Sequence, residues 1–285
     1  MLGATLAEKW KDRFDVFSTD KENFTKNTAK IFLPFDLLSK SYDTLMTWAR
    51  PDVIIHCAAI TNVDYCEDHP EQALWVNAES VKLFLKSDAH ARLIFISSDA
   101  VFPDGLPLAT VKDETAPENV YGKSKEAGEI TTQNSGEPHL VVRTTIVGKN
   151  INPAAKGFVE WIISSVNDGN IITLFDDALF TPITIWHLAD ELEWIINNEI
   201  SGVVHVVGSE SISKYEFGVR ICQLLGLDTN LIQKGSINDV DFQAKRSKDQ
   251  TMDSEHYQRY HRRALPIMDE TVDMIVQNFK EFTYE

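Results

Sequence analysis

The sequence predicts an α/β protein in which a doubly wound parallel sheet is joined to a smaller, mostly helical lobe. The first observation is an alternation of short, strand-like apolar runs with longer amphipathic stretches of helical period. The second is that the runs are rich in Val, Ile, Leu or Phe, as expected for strands covered on both faces. The third is a change near residue 208, after which the strand signal fades and a helical pattern continues to Phe282.

Turn residues bound each expected strand, and the expected helices fill the intervals between them. The strands are predicted at Phe14–Phe17, Lys30–Leu33, Asp52–Ala59, Arg92–Ser97, His139–Val147 and Val203–Val207. The helices are predicted near Thr5–Asp12, Asp43–Ala49, Glu71–His90, Tyr121–Asn134 and Trp186–Asn198. This order implies crossover helices on both faces of a parallel sheet. Ligands of such sheets bind at the carboxyl ends of the strands, so the loops after Ala59, Ser97 and Val147 are the candidate binding loops.

Composition narrows the function classes. The chain of 285 residues carries 43 acidic against 27 basic side chains, a net charge of −16, which would repel a nucleic-acid backbone. No apolar run approaches the ~20 residues of a membrane-spanning helix, and no basic leader precedes the first apolar residues. Cys57, Cys66 and Cys222 lack metal or disulfide spacing and indicate free thiols in a reducing, cytoplasmic setting. The scattered histidines predict no metal site.

A tyrosine and a lysine stand one helical turn apart in the fourth expected helix. Tyr121 and Lys125 share a helix face, and Ser98 lies in the loop that follows the expected strand Arg92–Ser97. A cation at ~4 Å supplies the order of energy needed to move a phenol pKa from about 10 towards 7. The phenol could then deliver a proton to a carbonyl that the serine orients. The alternative is an exposed helix that carries both side chains on its surface.

Several motifs follow one another along the chain: PDVIIHCAAITNVD from Pro51, VNA from Val76, ISSDAVFPDG from Ile96, ENVYGKSKEAGE from Glu118, VVRTTIVG from Val141 and TPITIWHLAD from Thr181. With these motifs the chain resembles the extended short-chain dehydrogenase/reductase family, and within it the dTDP-4-dehydrorhamnose reductase group. The resemblance implies a Rossmann-like dinucleotide-binding core at 1–147 and 183–208. It places a substrate-binding lobe at 148–182 and 209–285.

The resemblance also implies a reaction and the residues that perform it. NAD(H) or NADP(H) would reduce a 4-keto-deoxysugar attached to a nucleotide. Ser98 would polarise the carbonyl, and Tyr121 would act as the general acid. Lys125 would hold the nicotinamide ribose and lower the pKa of the Tyr121 phenol.

Further binding residues follow from the same resemblance. The cofactor would be contacted by Gly3, Asp20, Asp36, Leu37, Ala58, Ala59, Thr61 and Asn77, together with Tyr121 and Lys125. Asp20 would meet the adenosine ribose and favour NAD, although Lys21 beside it weakens this preference and a turn-capping role is the alternative. The alternative interpretation of Asn77 is a helix-interior amide that forms hydrogen bonds with nearby backbone groups. The substrate would be contacted by Ser98, Asp99, Thr181, Arg246 and Gln250, with a surface ion pair as the alternative for Arg246.

Three departures from the family pattern bear on function. Gly3 corresponds to the last glycine of the family's glycine-rich turn, so that the first strand and part of this turn appear missing from the chain. For a chain that begins at Met1, we expect weak or absent dinucleotide binding and an aberrant edge or a gap in the sheet. Ala100 replaces a family tyrosine, and Phe180 replaces a small residue near the sugar nucleotide.

Two alternatives to a reductase remain open. The family of regulatory β subunits of methionine adenosyltransferase is similar across the same motifs, and its Gln-x-x-Asp spacing matches Gln250 and Asp253. A non-catalytic binding or regulatory subunit, paired with a partner enzyme or with itself as a homodimer, is therefore the second hypothesis. A nucleotide-sugar epimerase or dehydratase is the third, although no added acid/base pair is evident near Ser98.

Overall fold

The computed structural model describes residues 1–22, 31–39, 41–87, 90–136, 138–151 and 156–280. Its helices, in chain order, are α1 (Leu2–Trp10), α2 (Tyr42–Ala49), α3 (Val63–Asp68), α4 (Pro70–Leu74), α5 (Ser80–Ser87), α6 (Val120–Asn134), α7 (Phe158–Asn167), α8 (Ile185–Asn198), α9 (Lys214–Leu225), α10 (Glu255–His261) and α11 (Met268–Lys280). A π turn, Trp75–Glu79, joins α4 to α5. No helix in these ranges is long and apolar enough to cross a lipid bilayer.

The strands are β1 (Phe17–Asp20), β2 (Ile31–Pro34), β3 (Val53–His56), β4 (Arg92–Ser98), β5 (Leu140–Thr144), β6 (Ile146–Val147), β7 (Ile172–Phe175), β8 (Leu179–Phe180), β9 (Ile183–Thr184), β10 (Gly202–His205), β11 (Ile212–Ser213), β12 (Ile232–Gly235) and β13 (Asp249–Gln250). Four of them form a parallel sheet in the order β10-β5-β4-β3. Every residue of β4 and β5 is buried, because helices cover both faces of the sheet. The predicted doubly wound α/β core is confirmed.

The two faces of this sheet carry separate hydrophobic clusters. On one face Ile94 and Ile96 pack with Leu6 of α1 and Leu188 of α8. On the other face Leu93, Phe95 and Val141 pack with Val81 of α5. Burial of this apolar area is the main stabilising contribution to the core. The sheet is therefore a fixed platform for the loops at its carboxyl edge.

Helix α6 lies directly against this sheet because two of its residues are glycines. A Cβ atom at Gly128 would stand 2.4 Å from the Phe95 ring and 2.5 Å from the backbone oxygen of Asn77. A Cβ atom at Gly122 would stand 2.2 Å from the backbone oxygen of Ala100. The close approach brings the face of α6 with Tyr121 and Lys125 next to the end of β4.

We expect Gly128→Ala to lower the free energy of unfolding by about 1–3 kcal/mol, because the added methyl group overpacks the contact between α6 and β4. Chemical denaturation would measure the change, with Lys123→Ala, an exposed position on the same helix, as the control. Alanine is intrinsically the better helix former by about 1 kcal/mol. A variant as stable as the wild type, or more stable, would therefore show that the contact between α6 and β4 does not require a glycine at position 128.

The sheet is interrupted between β1 and β3. Strands β1 and β2 form a separate parallel pair, and β3 pairs with β4 alone among the described strands. Phe17 and Ile31 are each 38% exposed at the amino ends of that pair. Helix α2 spans the interruption, because Trp48 packs edge-to-face on Phe17 at 5.1 Å and lies in one cluster with Ile54 of β3. Side-chain packing of α2 therefore links the β1–β2 pair to β3.

Two sequence-based element predictions need correction. The first strand is Phe17–Asp20 rather than Phe14–Phe17, because Phe14 and Val16 pack beside α1 and Phe14 stacks edge-to-face on Trp10. The chain after residue 208 is helical as expected, but it also contains the short strands β11, β12 and β13. Lys30 of the predicted second strand and Phe282 at the end of the helical pattern lie outside the described residues.

The second lobe is built on α7, α9 and α11. Their buried faces meet in a cluster that contains Val159, Phe217 and Ile275. Strand β8 pairs with β11 on one side and with β13 on the other. This small sheet brings three distant chain segments to one edge of the lobe.

Candidate functional site

Ser98 is the last residue of β4, at the carboxyl edge of the sheet. Its hydroxyl donates a hydrogen bond to Asp99 Oδ1 at 2.6 Å and accepts one from the Ala100 amide at 3.2 Å. The second carboxylate oxygen of Asp99 accepts a hydrogen bond from Thr145 Oγ1 at 2.7 Å. Ser98 and Asp99 are both buried. The end of β4 is thus tied to the end of β5 through one carboxylate.

Tyr121 lies in the first turn of α6, whose start is fixed by two caps. The Asn119 side chain accepts a hydrogen bond from the Gly122 amide at 2.8 Å, and Glu67 Oε1 accepts one from the Val120 amide at 2.8 Å. The Tyr121 phenol interacts with the Ser98 hydroxyl. Burial raises the pKa of Tyr121 above its usual value, the Ser98 hydrogen bond opposes this shift, and the charge of Asp99 adds to it.

Lys125 is buried one turn further along α6. Its Nζ donates a hydrogen bond to the Ile96 carbonyl oxygen at 2.6 Å and lies 4.2 Å from the centre of the Phe95 ring. Burial lowers the pKa of Lys125 to about 8, while the Glu129 carboxylate acts in the opposite direction. The structure therefore brings Ser98, Tyr121 and Lys125 together.

The expectation that Lys125 lowers the phenol pKa is wrong for this structure. The pKa of Tyr121 is raised, with burial as the largest cause and no contribution from Lys125 among the causes. The physical reason is the direction of the ammonium group, which is bonded to a carbonyl of β4 rather than to the phenol. Tyr121 is consequently a protonated phenol at neutral pH.

A buried charge network lies one turn beyond Lys125, and sequence reasoning missed it. Arg143 Nη2 and Glu129 Oε2 are 2.7 Å apart, with Arg143 Nε at 2.9 Å from Oε1 of the same carboxylate. The Ser97 hydroxyl donates to this carboxylate as well. A signal was present, because Arg143 stands in an otherwise apolar strand and Glu129 follows Lys125 by four residues.

Asn77 braces the loop after β3 against α6. Its Oδ1 accepts from the Ile60 amide at 2.9 Å, and its Nδ2 donates to the Ile60 carbonyl at 3.1 Å and to Ser124 Oγ at 2.8 Å. The residue sits in the π turn, a feature often found near functional sites. Its amide is thus engaged within the protein, as the alternative interpretation of Asn77 supposed.

The remaining residues proposed for the cofactor line the carboxyl edge around the break in the sheet. Ala58, Thr61 and Gly3 are exposed, and Ala59 is half-buried. Asp20 ends β1 and accepts a hydrogen bond from the Lys21 amide at 2.7 Å. Asp36 accepts one from the Leu38 amide at 2.9 Å and lies 3.3 Å from Lys21 Nζ. The Leu37 carbonyl accepts from Tyr42 Oη at 2.7 Å and from Trp75 Nε1 at 2.9 Å.

The other residues proposed for the substrate lie on or near the small sheet of β8, β11 and β13: Thr181, Arg246 and Gln250. Thr181 is buried, and its hydroxyl is engaged by Ser211 Oγ at 3.0 Å and by the Met252 amide at 3.1 Å, so its effect on a ligand is indirect. Gln250 pairs in register with Phe180 on the small sheet. Arg246 forms an ion pair with Asp64 of α3 at 2.7 Å. The ion pair considered as the alternative for Arg246 therefore exists, and it joins the lobe to the core.

The donor set at this edge fits a dinucleotide. Helix α1 starts at Leu2, and no side chain accepts a hydrogen bond from the backbone amides of its first turn. Amides at the N-terminus of a helix suit a pyrophosphate. The Lys125 ammonium has one acceptor among the described residues, Ile96 O, so two of its three N–H groups are available. No group of three or more potential metal ligands occurs in the described ranges.

Fold and site together define an α/β protein in which a Tyr–Lys helix meets a strand-end serine at the carboxyl edge of a parallel sheet. The chain belongs to the RmlD substrate binding domain family, whose sequence pattern matches residues 1–281. It is 31% identical to the probable low-salt glycan biosynthesis reductase Agl14 of Haloferax volcanii, over 71% of this chain and 69% of that protein. It is 32% identical to the dTDP-4-dehydrorhamnose reductase of Escherichia coli, over 60% of this chain.

The matched region spans 59% of the Escherichia coli reductase. Solved structures extend the likeness over nearly the whole fold. The dTDP-4-dehydrorhamnose reductase from Bacillus anthracis, solved in complex with NADP, superposes with a TM-score of 0.82 at 24% identity, covering 96% of each chain. The reductase from Yersinia enterocolitica gives a TM-score of 0.81 at 25% identity over 98% of this chain and 96% of that one.

Proposed function

We propose that this chain reduces a nucleotide-linked 4-keto-deoxysugar with NADH or NADPH, as a dTDP-4-dehydrorhamnose reductase does. The observation that carries the proposal is the meeting of Ser98, Tyr121 and Lys125 at the carboxyl end of β4. The names of its relatives support the same reaction class.

Each of the three residues has a defined task in this reaction. The Tyr121 hydroxyl donates its proton to the carbonyl oxygen of the sugar. Lys125 supplies a positive charge beside that proton transfer and presents two N–H groups to a ribose. Ser98, at the end of β4, orients and polarises that carbonyl by hydrogen bonding. When bound, the dinucleotide supplies the hydride.

The division of the chain follows the sequence prediction. We assign 1–147 and 183–208 to the dinucleotide and 148–182 with 209–285 to the sugar nucleotide. Gly3, Ala58, Ala59 and Thr61 line the dinucleotide, with Asp20, Asp36 and Leu37 at its adenosine end. Arg246 and Gln250 face the nucleotide end of the substrate, where a guanidinium suits a diphosphate. A cytoplasmic location and a homodimer or partner enzyme stay predictions.

The experiment is a thermal-shift panel with NADH and NADPH, each with and without dTDP-4-keto-6-deoxyglucose, followed by an assay of cofactor oxidation. A ligand at about 100 times its dissociation constant contributes ~2.7 kcal/mol to stability, which corresponds to a rise of several degrees. We expect a shift with a dinucleotide and sugar-dependent oxidation. Shifts without oxidation would favour the non-catalytic binding subunit, and a flat panel would contradict both functions.

A further inference from the structure

Three successive residues shortly before β13 are each bonded to the core. The Ala244 amide donates a hydrogen bond to Asp64 Oδ1 at 3.1 Å, and Arg246 Nη2 donates one to Asp64 Oδ2 at 2.7 Å. Between them, the Lys245 carbonyl oxygen accepts a hydrogen bond from Asn119 Nδ2 at 3.0 Å. Two side chains of the core therefore hold the chain on both sides of the peptide bond that leads to Arg246.

Asn119 holds Lys245 and the start of α6 with one side chain. Its Oδ1 accepts a hydrogen bond from the Gly122 amide at 2.8 Å, which caps α6. A backbone N–H can only donate and a carbonyl can only accept, so these two partners fix which end of the side-chain amide faces each of them. Asn119 is 8% exposed. It is thus bonded to the residue before Arg246 and stands two positions before Tyr121.

The ion pair of Arg246 with Asp64 is the weaker of the two restraints. The Asp64 side chain is 41% exposed and that of Arg246 is 26% exposed, and solvent screens ion pairs at such exposure. The side chain of Asn119 is buried, and losing its bond would leave the Lys245 carbonyl, which is partly buried, without that donor. The backbone position of Arg246 therefore depends mainly on Asn119.

Helix α3 holds the first turn of α6 in a second way. Glu67 Oε1 accepts a hydrogen bond from the Val120 amide at 2.8 Å, independently of Asn119. If a substitution keeps the cap of α6 and removes only the donor at Asn119 Nδ2, Tyr121 stays in place. The loss then falls on Arg246.

We propose that Asn119 is a positioning residue that holds Arg246 at a fixed place relative to Tyr121, so that a substrate presents its diphosphate to the guanidinium while its sugar carbonyl meets the phenol. The inference rests on the proposed reductase function and names the contact that favours sugars linked to a diphosphate. Among the described residues Asp64 is the one polar partner of Arg246, which leaves four of its five N–H groups for phosphate oxygens.

The test changes Asn119 to serine, which caps helices about as well as asparagine but is too short to donate to the Lys245 carbonyl. We expect the affinity for dTDP, measured by isothermal titration calorimetry, to fall about five-fold, the equivalent of the ~1 kcal/mol that one hydrogen bond contributes. KM for the sugar nucleotide should rise by the same factor while kcat and the affinity for the dinucleotide change little. Asn197→Ser, which removes an exposed amide bonded to the Glu193 carbonyl on α8, is the matched control.

Removing the guanidinium tests whether Asn119 acts through Arg246. Arg246→Met should weaken dTDP binding, and adding Asn119→Ser to that variant should weaken it no further. A loss of equal size in both backgrounds would overturn the proposal. An affinity for dTDP that is unchanged in a folded Asn119→Ser would overturn it as well.

A second variant covers the case in which serine disturbs α6. Asn119→Asp keeps the cap and cannot donate to the Lys245 carbonyl, so it should weaken dTDP binding at least as much. Thermal unfolding identifies the folded variants, and if neither variant folds, Asn119 is a residue of fold stability and the proposal fails. A wild type that binds no dTDP and reduces no sugar nucleotide would overturn the proposed function together with this role. A wild type that reduces the sugar nucleotide but binds dTDP no more tightly than Asn119→Ser does would overturn the positioning role alone.

Discussion

Replacing Tyr121 by phenylalanine should lower turnover by ~100-fold or more while the affinity for the dinucleotide changes little. The substitution removes the proton donor and leaves the aromatic ring that packs in the first turn of α6. Turnover would be measured by oxidation of the reduced cofactor at saturating sugar nucleotide. Cofactor affinity would be measured separately by titration.

The control for this variant is Tyr260→Phe, because Tyr260 is exposed on α10 and belongs to no part of the site. It should retain wild-type turnover. Thermal unfolding of both variants would show that neither change disturbs the fold. Wild-type turnover in Tyr121→Phe would remove the phenol from the mechanism and leave the sugar oxygen to be protonated by solvent.

The raised pKa of Tyr121 adds a pH criterion to this prediction. Because burial keeps the phenol protonated well above neutral pH, reduction of the carbonyl needs no prior ionisation of Tyr121. We therefore expect the ionisation of Tyr121 to leave the rate of reduction unchanged between neutral and moderately alkaline pH. Lys125, with a pKa of about 8, is the site residue whose charge is lost over that range. A decline in the rate of reduction near that pH would indicate the loss of the positive charge of Lys125.

The core of the fold was predictable because its strands are apolar and its helices periodic. The predicted strand Arg92–Ser97 and helix Tyr121–Asn134 match β4 and α6 to within one residue at each end. The motif resemblance placed Ser98, Tyr121 and Lys125, and the structure brings them together. A continuous apolar run and a helical period sufficed there because both signals are contained in the local sequence.

Other features depend on contacts between distant segments, which no local pattern contains. The first strand is shifted because hydrogen-bond pairing with β2, rather than the apolar run at Phe14, decides where it lies. The π turn within the predicted helix Glu71–His90 is invisible to a helical period, yet it sets the position of Asn77. The ion pair of Arg246 with Asp64 joins residues 182 positions apart.

The hydrogen bonds that Ser98 and Thr145 donate to Asp99 could not be predicted for the same reason. A motif gives the order Ser98, Asp99 along the chain but not the Thr145 hydroxyl that holds the carboxylate from another strand. The phenol pKa likewise follows from burial and from the direction of the Lys125 ammonium, both of which are tertiary properties. Spacing on a helix establishes that two side chains share a face, and packing decides whether they interact.

Breaking the buried ion pair beneath the site should produce the largest loss of stability. Arg143→Met is expected to lower the free energy of unfolding by about 3–5 kcal/mol, because the Glu129 carboxylate would stay buried without its cation. Both side chains are almost fully buried, at 6% and 1% exposure, and three nitrogen–oxygen contacts of 2.7–3.1 Å join them. Denaturant unfolding at neutral pH would measure the loss.

Two further variants distinguish the loss of stability caused by breaking the buried ion pair from the loss caused by removing any arginine. Arg259→Met breaks an exposed ion pair with Glu255 on α10 and should cost less than about 1 kcal/mol. The double variant Arg143→Met with Glu129→Leu should recover more than half of the lost stability, because an apolar pair of similar volume needs no buried charge.

A single variant within about 1 kcal/mol of the wild type would mean that water or the nearby His205 takes over the role of the guanidinium. A double variant no better than the single one would assign the stability to the packing of Arg143 on Phe102 rather than to its charge, because that contact at 4.8 Å is lost in both.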